Sequence, residues 1–508
     1  MKTLDYLALD FGAESGRGVL GRFNGETLAL EETHRFLNEP TRMRGTLYWD
    51  LPRLFHEAKH AIRKAGLTTR ELDGVGVDTW GVDFGLIARD DVPLGNPVHY
   101  RDARTERIAD IAFKLIPRER VYEITGLQFL PFNTVFQLLS MRCANSPLLD
   151  IAETFLMIPD LFGWLLSGRR GVERTNASTT QLYNPVTRNW SDEICVGLGI
   201  PRSILPELIE PGTVLGPLDR MIADETGVQN LSVIAPATHD TASAVVAAPA
   251  ISTSYSQSNR SSSNPDWCYL SSGTWSLLGV EVPSPIINKQ TLEDNFTNEG
   301  GIDGTTRLLK NIMGLWIIQE CRRAWAKVGY DLTYDDLMIQ AANSPAFGSL
   351  IDPDHASFLP PGDMPGRIAS YCRATNQPVP MDFGAVARCV LESLALKYRR
   401  VIERLEVVLG NRIRTIHVVG GGSKNTLLCQ LTADACDRIV HAGPVEATAA
   451  GNILMQLRAR GRIQTLEDAR NVVVKSFPMV NYVPLEPVRW RDAIGRFEEL
   501  INRPMNVG

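Results

Sequence analysis

The first third of the chain alternates short apolar runs with polar breaks, at a spacing that predicts strands before helices. Residues 6–12 (YLALDFG) read as a β-run ending in an acid and a glycine, and 12–17 (GAESGR) as a turn. Residues 18–23 read as a returning strand and 27–36 as a third. From about Leu51 to Ala65 the apolar positions take a helical spacing, with Asp50 placed as the N-cap. Residues 74–88 (GVGVDTWGVDFGLIA) supply two strand-like halves around Trp80–Gly81. Three strands, a helix and a further strand predict a mixed α/β layout rather than simple β-α-β winding.

The arrangement returns after a break. Residues 251–266 (ISTSYSQSNRSSSNPD) are rich in serine and asparagine and have little to bury, which predicts a mobile loop or linker. Residues 267–282 (WCYLSSGTWSLLGVEV) then repeat the opening strand, Ser/Gly/Thr turn and strand, so a second domain built like the first is expected. A length of 508 residues also exceeds a single core. Near the end, an apolar strand runs into Gly420, Gly421 and Gly422 and then into apolar spacing at Leu427, Leu428 and Leu431. Such a turn lets a ligand approach the backbone and aims free N–H groups at it, although many glycine turns merely pack.

Composition narrows the classes. Hydrophobic residues at 44% and charged residues at 22% are ordinary for a globular protein. Fifty-two basic against 58 acidic residues leave −6, so no basic footprint for nucleic acid is present. No apolar run approaches the roughly 20 residues of a membrane span, and Asp5 and Asp10 interrupt the first apolar stretch before a signal core forms. A cytoplasmic protein without membrane or nucleic-acid partners is expected; oligomeric state is not legible. The eight cysteines form no C-x-x-C pair, which argues against a disulfide scaffold or zinc site. The eight histidines show no ligand cluster, and His56 with His60 reads as an exposed helix face.

The chemistry concentrates in a few segments. Residues 236–245 (PATHDTASAV) place His239 and Asp240 directly after a β-prone run. Asp240 suits two jobs equally, a helix N-cap or a catalytic base at the end of a strand. The turn 10–17 (DFGAESGR) offers backbone donors at Gly12, Ser15 and Gly16 with a fixed cation at Arg17, and 271–276 (SSGTWS) offers hydroxyls and N–H groups. Two such turns could clamp a polyphosphate, and each alone also suits an ordinary hairpin. Neither matches a P-loop or the protein-kinase motifs. Asp10, ending an apolar strand beside a phosphate turn, suits a magnesium ion. The indole of Trp80 beside Asp78 and Asp83 suits a sugar; the same residues also suit a core tryptophan with two turn-capping acids, the better reading for Asp83.

The ordered motifs DFGAESGR, DTWGVDF, YRDART, GLQFLPFNT, HDTASAV, YLSSGTWSLLG, TNEGG, LLKNIMGLW, HVVGGGSKNTLL and AGPVEATAAGNI closely resemble the rhamnulokinase branch of the FGGY carbohydrate kinases, from about residue 5 to about 456. The resemblance implies an α/β fold of two actin-like (ribonuclease H-like) ATPase domains with a cleft between them. The expected divisions are 1–246 for sugar and phosphate turn, 247–266 for a linker, and 267–508 for nucleotide. It implies transfer of phosphate from ATP to the 1-hydroxyl of a ketose, L-rhamnulose first, with L-fuculose, a xylulose-like sugar or a non-catalytic sensor as rivals. Asp240 is similar to the family's general base. Gly81, His239, Thr241 and Asn311 match sugar contacts; Ala13, Glu14, Ser15, Gly16, Arg17, Thr274, Gln319 and Gly421 match ATP contacts. Asp10 is similar to the acid that places Mg2+. Glu14 departs from the family, which commonly has a small residue such as serine there.

Overall fold

The computed structural model describes residues 3–69, 71–250 and 264–502; the serine-rich stretch 251–263, expected to be a linker, lies outside the described residues. The chain forms two compact units that are discontinuous in sequence. Unit 1 is Met1–Arg260, Glu281–Leu309 and Glu446–Phe477; unit 2 is Ser261–Val280, Lys310–Val445 and Pro478–Gly508. No described helix is long and apolar enough to cross a membrane.

The opening pattern folds as its periods dictate. The strands β1 (Leu4–Phe11), β2 (Ser15–Phe23) and β3 (Leu28–Leu37) form an antiparallel meander. The helix α1 (Leu51–Thr68) follows, with Asp50 accepting the Arg53 N–H at 3.2 Å. It buries Leu51, Leu54, Ala58, Ala61, Ile62 and Ala65, one stripe at helical spacing. The strand β4 (Gly74–Thr79) returns parallel to β1, and β5 (Thr213–Pro217) and β6 (Ser232–Ala235) complete the sheet in the order β5-β6-β4-β1-β2-β3. Leu7, Ala8 and Leu9 are wholly buried, as expected of a central strand whose two faces are both covered.

The later strands repeat this plan. They are β7 (Trp267–Ser272), β8 (Trp275–Val282), β9 (Thr297–Gly300), β10 (Thr306–Met313), β11 (Thr415–Val419), β12 (Ile439–Ala442) and β13 (Val480–Tyr482). Their order is β9-β10-β8-β7-β11-β12-β13. The hairpin β7–β8 is antiparallel, while β11 and β12 lie parallel, so β10-β8-β7-β11-β12 reproduces β3-β2-β1-β4-β6. The echo seen in the sequence is therefore a repeated topology, the mixed sheet expected of an actin-like fold.

Candidate active site

Strand register brings the acids of unit 1 together. Asp10 and Asp78 are partners across the parallel pair β1–β4, and Thr79 bridges to His239 one strand further on. Asp240 comes next, opening the helix α2 (Asp240–Val246). Three carboxylates thus stand at one end of three neighbouring strands. Burial raises the Asp78 carboxyl well above the usual range, and the charges of Asp10 and Asp240 raise it further. Asn452, on the helix Ala447–Ala459, donates to Asp78 Oδ2 at 2.5 Å, while Asp78 Oδ1 is buried with no hydrogen-bond partner.

The N-cap of α2 is His239, which sets aside the N-cap reading of Asp240 and leaves the other of the two readings open. Asp240 is the first helical residue, and its side chain keeps 32% exposure. Its Oδ1 accepts the Thr241 N–H at 2.5 Å and the Thr241 hydroxyl at 3.2 Å. Burial raises its carboxyl above the ordinary range; His239 and the Thr241 donors pull it down, and Asp10 pushes it up. Thr241 is itself buried, with its hydroxyl turned to Asp240.

A further carboxylate, missed from sequence, clamps this junction. Glu173 is fully buried and accepts from the Thr238 N–H at 2.9 Å, the Thr238 hydroxyl at 2.8 Å and the Thr175 N–H at 2.8 Å. The Thr175 hydroxyl in turn accepts the His239 N–H at 3.2 Å. The same segment backs Gly81. A Cβ there would come 3.0 Å from Thr179, whose hydroxyl accepts the Val82 N–H at 3.1 Å.

Behind that turn lies Asp83, fully buried. Its Oδ2 accepts from Trp49 Nε1 at 2.6 Å, Trp80 Nε1 at 3.0 Å and the Tyr100 N–H at 3.2 Å, and its Oδ1 from Gln137 Nε2 at 2.9 Å. Burial pushes this carboxyl up to about 6, against the pull of the indole and amide donors. Asp83 is thus the anchor of an aromatic wall rather than a simple turn cap.

The turn expected to meet phosphate closes on itself: the Gly12 N–H donates to Ser15 O at 2.9 Å, and Asn38 donates to Gly12 O and Glu14 O at 2.9 Å each. Ala13, Glu14 and Ser15 are half-buried. Gly16 lies under the Phe36 ring, where a Cβ would come within 2.1 Å. Arg17 was expected as a cation for phosphate. Its guanidinium instead pairs with Asp10 Oδ2 and Glu446 Oε2, the latter a partner sequence reasoning missed. Glu446 caps the helix α5 (Ala447–Ala459), with the helix α3 (Trp316–Lys327) and the helix α4 (Thr426–Cys436) earlier in the chain.

Unit 2 gathers its own expected residues around the end of β7. Thr274 O accepts the Gly314 and Trp316 N–H groups at 3.2 and 3.1 Å, tying its turn to the start of α3, which carries the half-buried Gln319. Gly422 packs on Ser272, where a Cβ would come within 2.0 Å of the hydroxyl oxygen. Gly421 is exposed with no atom within 4 Å of a Cβ position, an open approach to backbone in the short 3-10 turn that precedes α4. Asn311 is half-buried in β10.

One cluster was not foreseen. His34, Glu57 and His60 place ligand atoms within 4.8 Å of one another, the only such group of three among the described residues. His34 Nε2 lies 2.6 Å from Glu57, but the Lys64 ammonium lies 3.0 Å from its other nitrogen. A cation beside that ammonium would be repelled, so the cluster is a hydrogen-bonded one. His56 and His60 are exposed, as the helix period required.

The sequence matches the N-terminal domain of the FGGY family of carbohydrate kinases over residues 5–247 and the C-terminal domain over 268–460. It is 39% identical to the rhamnulokinase of Bacteroides thetaiotaomicron over 98% of this chain and 99% of that one. It is 42% identical to that of Pectobacterium atrosepticum, covering 95% and 94%. In fold it is similar to a xylulose kinase from Lactobacillus acidophilus, with TM-score 0.78, 17% identity and 98% of each chain covered. A Plasmodium falciparum glycerol kinase with ADP matches with TM-score 0.74 and 14% identity over 100% and 99%.

Proposed function

The chain belongs to the FGGY family of carbohydrate kinases, and from that premise we propose that it transfers the γ-phosphoryl group of ATP to the 1-hydroxyl of L-rhamnulose. The products are L-rhamnulose 1-phosphate and ADP. The observation that carries the reaction class is Asp240, a carboxylate on a rigid strand–helix junction that is held by donors on one oxygen and reaches the surface. The sugar assignment rests on identities of 38–42% to rhamnulokinases over nearly the whole chain.

Phosphoryl transfer asks for alignment and charge neutralisation more than for covalent chemistry. Asp240 takes the proton of the attacking hydroxyl as that oxygen closes on the γ-phosphorus and ADP leaves, a role that contributes ~10²–10⁴-fold in rate. Gly81 and His239 present the sugar. By their match to the family, the backbone of the 12–17 turn is a phosphate contact, and Thr274, Gln319 and Gly421 are ATP contacts within unit 2.

The donor set also fits magnesium. Asp10 and Asp78 are hard oxygen ligands, and Asp78 Oδ1 is buried without a partner, as an oxygen kept for a cation would be. Bound there, magnesium would neutralise the phosphate oxygens. Arg17 would hold Asp10 in place rather than meet phosphate directly.

A coupled ADP-release assay across ketoses tests the assignment. Turnover should be fastest with L-rhamnulose, and a clear preference for L-fuculose or xylulose would overturn it. Asp240→Asn should lose at least ~10²-fold in kcat while still binding ATP; near-normal kcat would remove Asp240 as the base.

A further inference from the structure

Two buried charges lie behind the proposed base and are unaccounted for by sugar or ATP contacts. Arg307 and Glu299 are partners across the hairpin β9–β10, exposed by only 1% and 4%. Arg307 Nη2 lies 3.1 Å from Glu299 Oε2, and its Nε donates to Gly300 O at 2.9 Å. Both side chains converge on one ring atom. His239 Nδ1 lies 3.3 Å from Arg307 Nη2 and 3.3 Å from Glu299 Oε2, while His239 Nε2 faces Asp240 Oδ1 at 3.4 Å.

A guanidinium has only donors. Nδ1 is equally near the Glu299 carboxylate, but only its contact with Arg307 has hydrogen-bond geometry; in that bond Nδ1 offers its lone pair, which leaves the ring proton on Nε2, directed at the Asp240 carboxylate. The opposite tautomer would set an N–H against the guanidinium and a bare lone pair against a carboxylate oxygen. Glu299 balances the charge of Arg307, without which a guanidinium would not be held dry.

We propose that Arg307, supported by Glu299, is a positioning residue that fixes His239 as its Nε2–H tautomer and so directs all donors around the base to Asp240 Oδ1. Oδ1 then faces Nε2–H at 3.4 Å and receives the Thr241 N–H and the Thr241 hydroxyl. Oδ2 is the oxygen that takes the proton from the sugar hydroxyl: the O–H bond breaks, an O–H bond forms at Oδ2, and the released electron pair attacks phosphorus. This rests on the reading of Asp240 as the base.

Nitrogen-15 NMR of histidine-labelled protein reads the tautomer directly, with His239→Asn assigning the signal. In the unaltered protein the His239 Nδ1 should resonate as an unprotonated ring nitrogen and Nε2 as a protonated one. A protonated Nδ1 would overturn the proposal without any variant having to fold. Arg307→Met should lower kcat roughly 10- to 100-fold, leave the KM for ATP unchanged and release the tautomer. Arg307→Lys, which keeps a donor, should recover much of kcat. Equal loss in both variants, or loss confined to thermal stability, would reduce Arg307 to a structural residue. If Asp240→Asn keeps its turnover, the base reading fails, yet the tautomer result still stands or falls by the spectrum.

Discussion

Asp83 and Asp240 show how the same residue type takes opposite assignments from its surroundings. Each follows an apolar strand, yet Asp83 meets four donors in a closed aromatic pocket and Asp240 keeps one oxygen clear of them. Asp83 therefore has a stability signature rather than a catalytic one. Its carboxyl sits at about 6 in the folded protein, against an ordinary 3.8. Between those values the folded state holds a proton that the unfolded chain has released, so stability falls as pH rises through the window and is flat above it. The full drop is roughly 3 kcal/mol. Asp83→Asn should remove this share of the slope in urea titrations at pH 4 and 6. It should also cost about 1–3 kcal/mol at pH 7, because an amide N–H would face a pocket of donors. An unchanged slope would place the titration elsewhere.

Among elements, the glycine turn after β11 separates packing from ligand approach within two neighbouring residues. Gly422 has no room: a Cβ would strike Ser272 at 2.0 Å from its hydroxyl and 2.5 Å from its Cβ. Gly421 has open space. Gly422→Ala should therefore destabilise the protein by about 1–3 kcal/mol, read as a lower thermal midpoint. Gly421→Ala should leave that midpoint unchanged and raise the KM for ATP several-fold. If both changes act only on stability, the turn merely packs and the ATP reading of Gly421 is lost. The three glycines look alike as letters; Gly420 is set apart by its left-handed backbone, and Gly421 and Gly422 by the approach of Ser272. Strands, the helix α1 and the repeated hairpin were legible because each follows from a local period or turn. The N-cap of α2 was not, since whether His239 or Asp240 caps depends on where β6 releases the chain.

At the scale of the whole molecule, what was illegible is what joins distant residues. Arg17 finds Glu446 at a separation of 429 residues, and Asp78 finds Asn452 at 374. No local pattern ties such residues together, so Arg17 looked like a cation available to phosphate. Glu173, Glu299 and Arg307 were passed over for the same reason, since a charged residue becomes notable only once its burial is known. Apart from the 12–17 turn, an ATP contact in unit 1, and Asn311, a sugar contact in unit 2, the proposed contacts divide between the units in a testable way. Gly81, His239, Asp240 and Thr241 belong to unit 1, while Thr274, Gln319 and Gly421 belong to unit 2. Backbone amides ordered by a ligand exchange more slowly in proportion to the population of the bound state. In hydrogen exchange read by mass spectrometry, L-rhamnulose alone should protect residues 79–83 and 238–246. A non-hydrolysable ATP analogue alone should protect 12–17, 273–276 and 420–425. Protection of 420–425 by the sugar, with 238–246 unaffected, would take the sugar away from Asp240.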